Sequence, residues 1–423
     1  MLTSTPVRAR AGATDSTPRD RRRDRARALG LVSLAAVLAN ASWFSATAVV
    51  PALRRQWELT SAGAAWLVIA VQLGFVVGSI ATAMLNLPDR VEPRRLIAVA
   101  AATAGVANLG LLAAHGLAVA LPVRFLVGVA LAGVYSPALK LVATHFARGR
   151  GMATGVVVGA LTLGSGTPNL VRGLGDLPWQ ATIVVTSGLA FVAALVIGPV
   201  RTGPGATGAP PLDIGAAARA LVRQRPLGLV MWGYLGHMWE LYALWTWLAA
   251  FFVAARGAAA GAPPSAAETG TIAFLAIGVA GLLGSVVAGR LADRVGRTAI
   301  TSGAMVLSAG CCLVSPLAFA ATTPVLVAVL MIWGATVIAD SAQFSAAVTE
   351  LAEPRYAGSV LALQLALGFV VTMVSIRVVP LAAEVAGWRF AMLPLAPGPL
   401  LGAAAMLRLR TNPAARRLAN GRR

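Results

Sequence analysis

Two carboxylates stand where carboxylates are costly. Glu240 and Asp340 are the only two of the 15 acidic residues that fall well inside long apolar stretches. An ionised side chain at the centre of a bilayer costs at least about 2.5–3.5 kcal/mol on insertion scales, so acids at that depth usually face a cavity and act on a proton, an ion or a solute. His237 lies three residues before Glu240, and Tyr234 three before His237. At 3.6 residues per turn the three side chains fall within roughly 120° of one helix face. A histidine one turn from a glutamate is a proton-responsive pair, because each tunes the other's charge near neutral pH. The structural alternative is a neutral buried histidine beside an acceptor carboxylate, neither of which titrates. Trp239, Tyr242, Trp245 and Trp247 crowd the same stretch.

Other polar groups at depth are candidates to touch a solute. They are Asn40, Trp43 and Ser45 in the first stretch, Gln72 in the second, Tyr135 and Ser136 in the fourth, and Gln343 and Gln364 near the tenth and eleventh, together with Tyr234 and Trp239. Uncharged polar residues at such positions often only join helices to one another. Arg124 and Arg377 add positive charge at depth. Arg124, if it points inward, would hold an anionic group or balance Glu240; Arg377 would snorkel to the interface. The adjacent Cys311 and Cys312 are a poor geometric match for a disulfide and read as packing residues. No spacing suggests a metal or cofactor site, and no nucleophile–base pair suggests an enzyme.

The elements that must position these groups are membrane helices. Apolar stretches about 20 residues long, the length that crosses the hydrocarbon core, recur down the chain. They lie near 28–53, 62–87, 96–114, 120–142, 150–172, 180–200, 227–255, 269–290, 298–321, 325–347, 358–383 and 389–408. Twelve spans use roughly 240 of 423 residues, which fits the 58% hydrophobic content. The net charge of +20 would suit a nucleic-acid binder, but its distribution excludes that. One set of loops holds only Arg54, Arg55, Arg172, Arg256 and Arg389; nearly all the remaining Lys and Arg fall in the other set. That asymmetry places both termini in the cytoplasm. Residues 1–27, with eight arginines and three aspartates, read as a disordered basic tail without the apolar core of a signal peptide.

The chain repeats itself at half length. Gly289-Arg-Leu-Ala-Asp293-Arg294-Val-Gly296-Arg297 follows span eight, and Asn86-Leu-Pro-Asp89-Arg90-Val-Glu-Pro-Arg94-Arg95 follows span two. The aspartates are 204 residues apart. Two parallel six-helix halves account for this offset. The predicted division is 28–200 for the first half, 201–226 for a Gly- and Pro-rich cytoplasmic linker, 227–408 for the second half and 409–423 for a cytoplasmic tail. A carboxylate at a helix end pairs with arginines of the next helix, so Asp293 with Arg294 and Arg297, and Asp89 with Arg90, would latch one facing state. In span five Gly151, Gly155 and Gly159 recur every four residues, followed by Gly164 and Pro168. That pattern predicts close packing with a hinge, against span eight.

With its G-x-L-A-D-R-x-G-R loop in a twelve-span context, and Arg124-x-x-x-Gly128 in span four, the chain resembles the major facilitator superfamily over residues 28–408. Gly236-His-Met-Trp-Glu-Leu-Tyr242 and Ala339-Asp-Ser-Ala-Gln-Phe-Ser345 are similar to a bacterial branch loosely labelled cyanate- or nitrate-permease-like. The resemblance implies an all-α integral membrane fold of 12 transmembrane helices in two six-helix pseudo-symmetric halves. It also implies that spans one, four, seven and ten line a central cavity, which Glu240 and Asp340 would then share. The family counterpart of Arg124 is linked to proton coupling. The expected protein is a monomeric, proton-coupled secondary transporter of a bacterial plasma membrane, moving a small solute, an anion being one option, by alternating access. Proton-antiport efflux of apolar drugs is the first alternative. A non-transporting sensor or scaffold is the second, disfavoured by the absence of a sizeable soluble domain.

Overall fold

The computed structural model describes residues 18–85, 87–146, 150–174, 177–203 and 212–422. The side chain of Asp89, the surroundings of Gly151 and the first 17 residues of the expected tail lie outside that description. No strand occurs among the described residues. In the first half the helices are α1 (Pro18–Asn40), α2 (Ser45–Gln56), α3 (Ser61–Met84), α4 (Leu87–Arg90), α5 (Pro93–Leu109), α6 (Leu117–His145), α7 (Arg150–Gly173) and α8 (Trp179–Val196). A short helix, α9 (Ile214–Arg223), follows. The second half has α10 (Arg225–Ala260), α11 (Ala266–Ala273), α12 (Gly281–Val295), α13 (Arg297–Phe319), α14 (Thr323–Ala339), α15 (Ser341–Leu351), α16 (Ala357–Ala386) and α17 (Pro397–Thr411).

Among the described residues, ten helical segments are long and apolar enough to cross a membrane. The glycine-rich α7 and the 15-residue α17 complete twelve. Large apolar side chains such as Val99, Leu195, Leu283 and Leu317 point outward and are exposed, as a lipid-facing surface requires. One expectation of disorder needs correction. α1 begins at Pro18, so residues 18–27 of the expected disordered tail are helical and continue span one beyond its apolar part. Beyond α17, Pro413–Gly421 form a 3₁₀ turn with Ala415 and Leu418 buried.

Two spans are broken in mid-course, and both breaks have a local cause. Between α1 and α2, Ser42 Oγ donates to the Ala39 carbonyl at 2.8 Å and Ser45 Oγ to the Ser42 carbonyl at 2.9 Å. Serine side chains of this kind offer the backbone an alternative to the helical ladder. Between α14 and α15 the break falls at Asp340, a residue that favours caps over helix interiors. Span eight instead carries a π-helical turn, Phe274–Ala280, between α11 and α12.

The halves repeat at the level of packing. A Cβ on Gly128 of α6 would meet the backbone of α3 at Val71 and Phe75, and one on Gly334 of α14 would meet the backbone at Ala276. Both glycines mark a point where two spans of one half touch backbone to backbone. Between halves, α7 runs along span eight: Ser285 Oγ donates to the Gly155 carbonyl at 3.1 Å, and Gly159 faces Leu282. Gly164 differs from the expectation, since it faces Val37 and Asn40 of α1 in its own half.

Candidate transport site

The loops at 87–95 and 293–297 mark one end of the bundle, called here the motif end; the loop at 261–265 marks the far end. Midway between them lies a chamber of about 70 Å³. Asn40 and Trp43 enter it from the α1–α2 break, Tyr135 from α6, Leu161, Thr162 and Ser165 from α7, Tyr234, Met238 and Tyr242 from α10, and Ser341 from the start of α15. Both broken helices thus place their breaks at the chamber wall.

A layer of rings closes the chamber toward the far end. Trp43, Phe44 and Phe75 of the first half meet Tyr242, Trp245 and Phe369 of the second. The Trp43–Tyr242, Phe44–Tyr242 and Phe75–Phe369 centroids are 5.8, 6.0 and 5.0 Å apart. At the same seam Thr372 Oγ1 donates to Gln72 Oε1 at 2.7 Å. Beyond the layer a vestibule of about 450 Å³ opens among Val50, Val68, Arg172, Thr246, Ala250 and Trp388. Trp245 borders both spaces.

The ionisable groups are arranged differently from the expected His237–Glu240 pair. His237 Nδ1 lies 2.8 Å from Asp340 Oδ1, both side chains almost wholly buried, and His237 Nε2 has no partner. The ring of His237 is flanked by Tyr234 and Phe344 at 6.1 and 5.7 Å. Glu240 turns away from the chamber. Its Oε1 accepts from Ser308 Oγ at 2.7 Å, Cys312 Sγ at 3.1 Å and Trp333 Nε1 at 2.5 Å. Glu240 therefore joins α10 to α13 and α14 and does not share a cavity with Asp340. The physical reason is that α10 is surrounded by protein: the 60° between residues 237 and 240 points them at different neighbours.

Arg124 is likewise fully buried and outside the chamber. Its Nη1 donates to the Ser42 carbonyl at 3.0 Å, Ser45 Oγ at 3.1 Å and Asn108 Oδ1 at 3.1 Å, and its Nη2 donates to the Trp43 carbonyl. The guanidinium supplies the donors that the broken helix withholds from these carbonyls. It is not presented to a solute.

Of the cavity candidates, Asn40, Trp43, Tyr135 and Tyr234 line the chamber. Four others do not. Trp239 donates from Nε1 to the Pro394 carbonyl at 3.0 Å and packs on Gly398 at the start of α17. Gln72 is absent from the wall, its Oε1 accepting from Thr372. Gln343 accepts from Arg297 Nη1 at 2.7 Å, because the break at Asp340 swings α15 toward the motif end. Gln364 is buried on α16, one turn from Gly368, which packs on Tyr234 and Met238. Sequence reading missed Phe75, Phe369, Thr162 and Ser165 as lining residues, since nothing in their spacing sets them apart from core residues.

At the motif end, Arg297 is the centre of the latch cluster. Its Nε and Nη2 pair with the two oxygens of Glu350 at 2.9 and 2.6 Å, the bidentate geometry that guanidinium favours. Asp293 is more distant, at 3.7 Å from Arg297 Nη1, and Arg294 is exposed. The Ala419 N–H donates to Glu350 Oε2 at 3.0 Å and Arg422 Nη1 to the Asp293 carbonyl at 2.6 Å, so the turn after α17 seats on the same cluster. Gly296, at φ +118, makes the sharp α12–α13 turn that only glycine adopts freely. Gly289 is buried inside α12. In the first half Arg90 is exposed, and Arg94 pairs with Glu92 at 2.7 Å and donates to the Gly198 carbonyl at 3.1 Å.

Twelve helices in two related halves around an enclosed midplane chamber define a multi-pass secondary transporter. The family model of the Major Facilitator Superfamily matches residues 32–375 and 263–423, and the chain belongs to that superfamily. A solved structure of the proton:xylose symporter XylE bound to 6-bromo-6-deoxy-D-glucose matches the fold with TM-score 0.70 at 13% identity, covering 92% of this chain and 96% of that one. No curated protein matches the chain.

Proposed function

We propose that the protein is a proton-coupled carrier of a small solute that works by alternating access, with the His237–Asp340 pair as its proton-carrying element. The observation that carries this reading is the position of the pair. It is buried at the α14–α15 break, and the next residue in the chain, Ser341, lines the chamber. A proton gained or lost there changes the charge at a helix break, which can bias the two facing states by a differential free energy. Glu240 sits one turn along α10 and sets the field around the pair while holding the second half together. The similar fold of a proton:xylose symporter agrees with proton coupling. The loop charge asymmetry supports a bacterial plasma membrane with both termini and the motif end in the cytoplasm. In that orientation the vestibule faces outward.

The test uses proteoliposomes with an entrapped pH dye, challenged with a library of small solutes. Solute-driven proton flux is expected for at least one compound in the wild type. Asp340→Asn should abolish that flux while leaving exchange of the same labelled solute measurable. Full proton flux in Asp340→Asn would place the coupling elsewhere, with Glu240 next in line.

A further inference from the structure

We infer that the chamber selects an uncharged, planar, single-ring molecule that carries hydrogen-bond acceptors. This rests on reading the chamber as the transport site. Three observations support it. First, seven aromatic side chains wall the chamber, and among the described residues no charged side chain lines it. These rings pack edge-to-face or tilted on one another, as in the Trp43–Phe75 and Tyr242–Phe369 pairs at 4.9 and 5.1 Å, and another ring entering the chamber extends the same cluster by edge or offset contacts.

Second, the charges nearby are already occupied. Arg124 is consumed by the carbonyls of the helix break, and His237 and Asp340 face each other. A bound anion or cation would lose its hydration with nothing of opposite sign to replace it. Third, two side chains of the wall carry donors without acceptors. Trp43 and Trp245 are 4% and 6% exposed, and neither indole N–H has a partner. The Asn40 amide donates to the Leu161 carbonyl and to Ser165 Oγ, both at 2.8 Å, so the polar wall on that side is already in order. Two buried N–H groups without acceptors, on side chains that line the chamber, leave a deficit that a ligand carbonyl or ring nitrogen would correct once the indoles turn toward it. They disfavour an organic cation, which the rings alone would attract. Size agrees, since about 70 Å³ holds roughly five to seven waters, the space of one ring with a short substituent.

The test compares matched probes that differ only in charge. Nicotinamide, nicotinate and 1-methylnicotinamide form one set; benzamide, benzoate and benzamidinium form a second. Binding to the purified full-length chain in detergent is read by tryptophan fluorescence and by thermal shift. The amides are expected to bind at least tenfold more tightly than their charged partners. Trp43→Phe and Trp245→Phe keep a ring and remove the N–H, and at least one should weaken amide binding roughly three- to tenfold. Equal or tighter binding of a charged partner, no binding by any probe, or unchanged amide affinity in both variants would overturn the inference. Equilibrium binding needs no gradient, so loss of the proton-coupling reading leaves this result standing, and a charged-probe preference leaves the Asp340 flux test standing.

Discussion

Arg124 in the first half and Glu240 in the second are both buried at membrane depth, and both are held by three or more groups from other helices. They do opposite jobs. Arg124 donates into a helix that is broken, at Ser42 and Trp43. Glu240 accepts from side chains on two helices that stay intact there, at Ser308, Cys312 and Trp333. One repairs a discontinuity; the other fastens continuous rods. Neither reaches the chamber. The comparison teaches that depth alone does not mark a working charge. The charge nearest the chamber along the chain is Asp340, because its own helix breaks there and the next residue, Ser341, lines the wall.

The strongest way to break this comparison is Arg124→Ala. It leaves several carbonyl and side-chain acceptors unpaired at the α1–α2 break, and a loss of about 3–5 kcal/mol in stability is expected. Thermal unfolding in detergent measures it, and a shift within error of wild type would mean that the break satisfies itself. Glu240→Ala should cost less, about 2–4 kcal/mol, because the donors it strands sit on flexible side chains that can turn to other acceptors. Glu240→Gln keeps one acceptor oxygen and should cost about 1 kcal/mol; a larger loss would show that the charge itself is required. At the motif end, Glu350→Gln should lower stability by at most about 1 kcal/mol, since the pair is partly exposed, and should free the turn after α17 to proteolysis. The smallest effect is the most discriminating. Arg124 and Glu240 share no partner, so the double alanine variant should equal the sum of the singles within about 0.5 kcal/mol. A larger coupling would join the two halves through a path that these contacts do not contain.

The spans, their number and the half-length repeat were legible because lipid imposes a fixed length on every crossing and because loop charges are sorted by side. The acids at depth were legible for the same reason. Their partners were not. α10 is packed on several sides, so the periodicity that places His237, Trp239 and Glu240 on a helix cannot say which neighbour each one meets. Trp239 went to α17, Glu240 to α13 and α14, and His237 to Asp340. Gln343 looked like a chamber residue until the break at Asp340 redirected α15. Glu350, 53 residues from Arg297, carries no local signal at all, because its role depends on where two chain segments meet.

The break between α1 and α2 has a consequence for how the chain is made. The Trp43 carbonyl finds its donor in Arg124, 81 residues later. At about 5–20 residues per second, synthesis takes roughly 4–16 s to deliver that arginine. During this interval the first span cannot settle as a finished crossing in lipid, because its exposed carbonyls still need water or a temporary partner. Span one must therefore wait at the insertion machinery, or at the membrane surface, until span four emerges. The first half would then assemble as a group of four crossings, not one crossing at a time.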